Sequence, residues 1–225
     1  MSNWAEKRLK EILSNTLQPN DTFEFSCKMC GNCCRKRDEP IMLTGLDVYR
    51  IAKATNLAPM EAIMKFCGMY IGADSHLPII HLRERDDGSC TLLRKGRCMV
   101  HTMKPVVCAI HPLGRYFSGE DHKIHYFKTN PCPQSQEAPQ TWSLDEWLDA
   151  FGIKELDHMS DVWNHAIMEV ANVTCKIDKE KIPTFAYSEI LKALYIDYDI
   201  EKPYIEQLLV NMEGLSSILE KLKTL

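Results

Sequence analysis

The stretch "FSCKMCGNCCRKRDEP", residues 25–40, contains four cysteines within eight positions, followed by three basic residues. A C-x-x-C pair lets two sulfurs converge on one ion from a single tight turn, and here the spacing extends to C-x-x-C-x-x-C. Thiols crowded in this way are either disulfide partners in an exported protein or ligands of a metal. The rest of the sequence has to decide between these two alternatives.

The composition favours a metal over disulfides. The chain has 225 residues, of which 45% are hydrophobic, so it can bury a core without covalent staples. Its first residues lack the apolar segment and the cleavage site of a signal peptide, which predicts a cytoplasmic protein with reduced thiols. No stretch approaches the roughly 20 apolar residues of a membrane span. The net charge of −4 argues against nucleic-acid binding, so we expect no nucleic-acid or membrane partner, while an unknown protein partner stays open.

The apolar periodicity and the turn signals predict an α+β fold, mainly helical, with a small irregular β-hairpin region organised around the cysteine metal sites. Helical spacing predicts helices over residues 3–17 and over "APMEAIMKFCGMY", and a helix that begins with the capping pair Thr44 and Asp47. Turn signals at Asp87-Gly88, Gly96 and Gly119 predict three hairpins between residues 77 and 127.

After the Pro/Gln-rich stretch at residues 131–140 the chain becomes helical again, starting with an S-x-x-E capping box at Ser143 and Glu146. An apolar stripe on the last helix is typical of core packing. The sequence therefore predicts an N-terminal helix in residues 1–20, a cysteine-cluster metal-binding domain in residues 21–135, and a helical C-terminal region in residues 136–225 that packs on it.

Two of the ten cysteines are interpreted as small buried hydrophobes. Cys67 lies within the helix predicted over "APMEAIMKFCGMY", and Cys175 is far from the other cysteines. The remaining eight each stand near a glycine, a proline or a predicted turn, and eight is the number needed for two four-thiolate sites. These candidate metal ligands are Cys27, Cys30, Cys33, Cys34, Cys90, Cys98, Cys108 and Cys132.

The spacing of the first three ligands favours an iron–sulfur cluster over a lone zinc ion. Bacterial ferredoxins have the same three-residue intervals, and their fourth cysteine comes from elsewhere and precedes a proline, as Cys132 precedes Pro133. Side chains of adjacent residues diverge, so Cys34 does not share a mononuclear ion with Cys33. Either it serves a second centre, together with Cys90, Cys98 and Cys108, or two metals share a bridging thiolate.

Two histidines are alternative ligands because each follows a candidate cysteine by three positions. His101 follows Cys98 and His111 follows Cys108, so either imidazole could replace a thiolate. The radical S-adenosylmethionine spacing, C-x-x-x-C-x-x-C, fails because Arg37 stands where its last cysteine would be.

The order of these residues resembles that of the YkgJ-type cysteine-cluster proteins over about residues 24–133. The resemblance rests on the cysteine run followed by Ile41-x-Leu43-Thr44-x-x-Asp47, Cys90-x-Leu92-Leu93, Lys104-Pro105-x-x-Cys108 and His111-Pro112. It implies chelation of zinc or iron. One branch that resembles the family, the flagellin lysine N-methylases, implies an iron–sulfur cluster and S-adenosylmethionine-dependent methylation of protein lysine.

Three functions remain open at this point. The first is a cytoplasmic metal-binding protein with an iron–sulfur cluster, of the 4Fe-4S type, in a redox or accessory role. The alternatives are a structural zinc protein and a lysine N-methylase-like enzyme. Because no G-x-G-x-x-G nucleotide loop is present, the sequence assigns no catalytic residue and leans away from an enzyme.

Overall fold

The fold is described from a computed structural model, which covers residues 3–35, 40–130 and 137–224. Within these residues, the strands all precede the last four α-helices and all strand pairs are antiparallel, which confirms the α+β prediction. The α-helices are α1 Asn3–Ser14, α2 Gly45–Thr55, α3 Pro59–Phe66, α4 Val106–Ala109, α5 Leu144–Ala150, α6 Ile153–Thr174, α7 Thr184–Leu191 and α8 Tyr204–Leu222. The strands are β1 Thr22–Phe25, β2 Met42–Leu43, β3 Cys67–Ile71, β4 Pro78–Leu82, β5 Leu93–Arg94, β6 Arg97–Cys98, β7 Leu113–Phe117, β8 Ile124–Lys128 and β9 Gln140–Ser143.

The strands form four small sheets, ordered β1-β9, β2-β4-β3, β5-β6 and β7-β8. None of the described helices is both long enough and apolar enough to cross a membrane. The chain divides into two compact units, each made of two segments of the chain. The first boundary between the units falls between the adjacent cysteines Cys33 and Cys34. Unit 1 contains Met1–Cys33 and Val106–His158, and unit 2 contains Cys34–Pro105 and Met159–Leu225. The three-part division drawn from the sequence stays a prediction.

Unit 1 is built around Trp147, whose side chain is almost completely buried. Its indole meets the rings of Phe23 and Phe25 edge-on, each with centroids 5.5 Å apart, and that of Trp142 at 5.1 Å. The predicted Ser143–Glu146 capping box forms and starts α5, so that Trp147 lies in the first turn and a half of that helix. Pairing of β1 with β9, which sequence periodicity did not reveal, brings the aromatic residues together.

Unit 2 contains α2, α3, the three-stranded sheet β2-β4-β3, most of α6, and the helices α7 and α8. The predicted capping box forms at Thr44 and Asp47, where the Thr44 side chain accepts from the Asp47 amide and the carboxylate binds back to the Thr44 amide. The turns at Asp87-Gly88 and Gly96 also form as predicted. At the second turn, both Lys95 and Gly96 have positive φ, which a two-residue hairpin of this twist requires.

The helix predicted over "APMEAIMKFCGMY" is wrong in its second half. The α3 helix ends at Phe66, and the next five residues form β3, so Cys67 begins a strand instead of lying inside a helix. The Arg83 guanidinium donates to the carbonyls of Met64 and Cys67 and thereby satisfies groups at the helix end. A Cβ at Gly68 would lie 2.6 Å from His81 Nε2 on β4, so the absence of a side chain there leaves room for the imidazole.

Candidate metal centre

The first three candidate ligands lie in an irregular loop of unit 1. The loop leaves the sheet at the end of β1, and Cys27, Cys30 and Cys33 are all exposed. Met29 and Gly31, on either side of Cys30, both adopt left-handed backbone conformations, with φ of 51° and 74°. Turns with left-handed residues of this kind form amide-lined concavities that bind anions and iron–sulfur clusters. The loop therefore has accessible thiols and a left-handed residue on each side of Cys30.

The base of this loop is anchored by β9. The Trp142 indole donates to the Phe25 carbonyl over 3.2 Å, and the Gln140 amide donates to the Ser26 hydroxyl over 3.1 Å. These two bonds hold the residues that immediately precede Cys27. The position from which the cysteine loop starts is thus set by residues more than a hundred positions later in the chain.

Cys108 belongs to the same unit and lies, half-buried, in the short helix α4. Two contacts place its segment beside the base of the cysteine loop. The indole of Trp147, whose ring meets Phe25, donates to the Ile110 carbonyl over 3.1 Å. The imidazole of His111 also meets the Phe25 ring edge-on, with centroids 5.5 Å apart. Cys108 and its neighbour His111 are therefore grouped with the Cys27 loop.

Three more candidates, Cys34, Cys90 and Cys98, lie in unit 2 and share one hydrogen-bonded piece of backbone. The Cys90 amide donates to the Cys34 carbonyl over 2.8 Å, and the Leu93 amide donates to the Cys90 carbonyl over 2.9 Å. Leu93 is in turn the register partner of Cys98 in the β5-β6 hairpin. Cys90 is buried, whereas Cys34 and Cys98 are half-buried.

His101 is an exposed residue of unit 2 and begins a short 3-10 helix, Val100 being its N-cap. Partial burial, and after it the nearby Lys104 ammonium, lower the pKa of the His101 imidazole below its ordinary value. This shift favours the neutral ring at physiological pH, which is the form that binds metals. Cys132, the remaining candidate, lies outside the described residues.

The two cysteines interpreted as buried hydrophobes differ in the structure. Cys67 is only 4% exposed, as expected. The pKa of its thiol is raised to about 12, mainly by burial; the charge of Arg83 opposes this rise, and the nearby Cys90 adds to it. Cys175 is exposed, so the interpretation as a buried residue is wrong there. It follows the last residue of α6, on a solvent-facing turn that local apolar sequence did not reveal.

Trp147 and Phe25 are the residues of the site that the sequence analysis did not find. In the sequence, Trp147 is only the first apolar residue after a capping box. That position does not reveal its contact with Ile110, which lies 37 positions earlier, or with Phe25, which lies more than a hundred positions earlier. In residues 3–35, 40–130 and 137–224, no three His, Cys, Asp or Glu side chains are grouped closely enough to hold a metal ion. Within each unit, it is the backbone segments carrying the candidate ligands that contact one another.

Comparison with known proteins gives one match. Residues 26–133 match the family CxxCxxCC, described as a putative zinc- or iron-chelating domain. Neither a curated protein nor a solved structure matches the chain. The matched segment contains all eight candidate ligands and agrees with the resemblance stated from the cysteine order. Residues 26–133 of this chain are therefore similar to the CxxCxxCC domains, and this similarity supports metal binding.

Proposed function

We propose that the CxxCxxCC domain holds two metal centres, one built from the ligands of each unit, and that the centre of unit 1 is an iron–sulfur cluster in a redox or accessory role. Its ligands are Cys27, Cys30 and Cys33, with Cys108 or Cys132 as the fourth. The observation that carries the proposal is the division of the chain between Cys33 and Cys34, which assigns two adjacent thiols to different compact units.

The residues of unit 1 fit an iron–sulfur cluster by their chemistry. Thiolates are soft, anionic ligands that suit iron in clusters, and three exposed thiols at intervals of three residues are typical of cluster-binding loops. The left-handed residues around Cys30 supply the backbone turns that such loops need. Among the described residues, these thiols are not close enough together to hold an ion, so binding of a cluster would draw them together.

A bound cluster would supply one-electron chemistry at a potential set by its surroundings. The surrounding residues of unit 1 have separate tasks in this proposal. Phe25 and Trp147 present buried aromatic rings at the base of the loop and restrict water there. Cys108 brings a half-buried thiol to the same place. Electron transfer, oxidant sensing and support of a partner enzyme in the cytoplasm are all compatible with this arrangement.

A zinc site is the second candidate, and one observation favours it for unit 2. Cys34, Cys90 and Cys98 lie on one hydrogen-bonded backbone segment, and His101 follows Cys98 by three positions. Three thiolates and one neutral imidazole form a closed structural zinc set. The pKa of His101 is shifted in the direction that favours this ligand form. If both centres hold zinc, the protein is a structural metal protein without redox chemistry of its own.

Metal analysis of anaerobically purified protein tests the proposal, using Cys30→Ser for unit 1, Cys98→Ser for unit 2 and Cys175→Ser as the matched control. We expect the wild-type protein to contain labile sulfide, visible absorption and about four iron atoms per chain if the cluster is of the 4Fe-4S type. C30S should lose iron and sulfide, C98S should retain them, and C175S should match the wild type. Colourless protein with zinc alone would contradict the cluster.

A further inference from the structure

Strand β3 forms an open edge of the sheet β2-β4-β3. The Gly72 amide donates to the Leu77 carbonyl, and the Arg83 amide donates to the Phe66 carbonyl, both over 2.9 Å. In an antiparallel pair, the N–H and C=O groups of alternate residues point toward the partner strand. Since Phe66 and Gly72 bond toward the β4 side, residues 68 and 70 do so as well, and residues 67, 69 and 71 direct their backbone groups away from β4. Pro78 stands opposite Ile71 and has no N–H to offer, which agrees with this pattern.

The first of the outward-facing residues is already satisfied within unit 2. The Cys67 amide donates to the Ile63 carbonyl, and its own carbonyl accepts from the Arg83 guanidinium. Within the described parts of the chain, the N–H and C=O groups that remain at the open edge are those of Met69 and Ile71. A strand edge of this kind is a template for pairing with another strand.

The side chains along this edge are apolar and exposed. Met69 is 52% exposed, Ile71 is 41% exposed, and Tyr70 between them is exposed as well. On the adjoining helix α3, the apolar side chains of Met60 and Met64 are exposed too, the latter at 70%. Native proteins usually protect an edge with a charge, a proline or a bulge. Strand β3, with the sequence CGMYI, contains neither a charged residue nor a proline. An unprotected apolar edge is typical of an interaction surface.

We propose that β3 pairs with β3 of a second copy of this chain, so that two three-stranded sheets join into one six-stranded sheet. With Tyr70 facing its own copy across a twofold axis, Met69 of each chain lies opposite Ile71 of the other. This register uses the four N–H and four C=O groups left at the two edges and does not use Cys67, which is already bonded. The edge is therefore complementary to itself.

The charges at the two ends of β3 agree with the antiparallel arrangement. Lys65 lies in the last turn of α3, just before the strand, Asp74 lies in the turn after the strand, and both are exposed. A twofold axis at Tyr70 places the end of β3 that follows Lys65 beside the end of the partner copy's β3 that precedes Asp74. Parallel pairing would instead place like charges together. Methionine side chains, which adapt readily to a facing surface, surround the pairing strands.

Sedimentation equilibrium of the full metal-loaded chain tests this proposal, with the variants Met69→Pro and Ile71→Lys and the control Val210→Lys. M69P removes an outward N–H while leaving the bonds to β4, and I71K places two ammonium groups at the interface. Val210 is 66% exposed in the same unit, on α8, and tests the effect of adding a lysine elsewhere.

We expect the wild type to dimerise, both edge variants to raise the dimer dissociation constant at least about tenfold, and V210K to behave as the wild type. Circular dichroism confirms that each variant is folded. Hydrogen exchange supplies a second measurement, since the Met69 and Ile71 amides should be protected only at concentrations where the dimer forms. A chain that stays monomeric throughout, or a dimer that neither edge variant weakens, would overturn the proposal.

Discussion

Replacing Trp147 by phenylalanine removes one indole N–H from the core of unit 1 and leaves an aromatic ring in place. This N–H donates to the carbonyl of Ile110, a residue with no exposed surface, which also accepts from the Leu113 amide over 2.9 Å. The carbonyl therefore keeps one partner in the variant, and loss of the second hydrogen bond costs about 0.5–1.5 kcal/mol. For a chain of this length, we expect the melting temperature to fall by about 1–6 °C.

The same substitution should weaken metal binding by the ligands of unit 1. Trp147 holds the Ile110 carbonyl, two residues after Cys108, and packs against Phe25, two residues before Cys27. Loss of this link allows the two segments to separate, and the metal must then restore their arrangement. If about 0.7 kcal/mol of the lost stability is passed on to binding, the affinity falls about threefold.

Unit 2 offers a matched control in Trp163→Phe. The Trp163 indole donates over 3.2 Å to the carbonyl of Leu194, which is equally buried, and neither residue belongs to the CxxCxxCC segment. We expect both variants to lose stability in urea titrations. Chelator competition, with iron and zinc measured separately, should show weaker binding of the unit 1 metal only in W147F. Equal metal affinity in W147F and the wild type would refute the proposed role of Trp147.

Three further predictions concern stability. Gly214→Ala, inside α8 with open space around the added methyl group, should raise the unfolding free energy by about 1 kcal/mol in urea titrations. Asp157→Asn should lower it by about 1.5–3 kcal/mol, because Asp157 accepts from Tyr126 and pairs with Arg115 over 2.7 Å; an unchanged urea midpoint would contradict this. Hydrogen bonds from the Ser143 amide and hydroxyl lower the pKa of Glu146 from 4.5, so its stabilisation is present above pH 4.5 and is lost as the pH falls through the lower folded value. Stability of Glu146→Gln, followed from pH 6 to pH 3, should therefore fall less with acid than that of the wild type.

Features that depend on neighbours in the chain could be predicted from the sequence. The capping boxes at Thr44 and Ser143 each need only a partner three residues away, and the turn at Gly96 needs only a residue that tolerates positive φ. The family could be recognised in the same way, because the spacing of the cysteines is a local property. Helix and strand could not be told apart after Phe66, where an apolar run fits both and the cross-strand partner is absent from the local sequence.

The grouping of the candidate ligands depended on contacts between distant residues. The sequence left Cys108 open as a partner of Cys34, whereas its segment packs through Trp147 and His111 against the base of the Cys27 loop. Similarly, the burial of Cys67 and the exposure of Cys175 follow from which face each residue presents after packing. Spacing along the chain shows which residues can bind a metal. Only the tertiary contacts between distant segments determine which of them share a neighbourhood: buried aromatic side chains in unit 1, and backbone hydrogen bonds in unit 2.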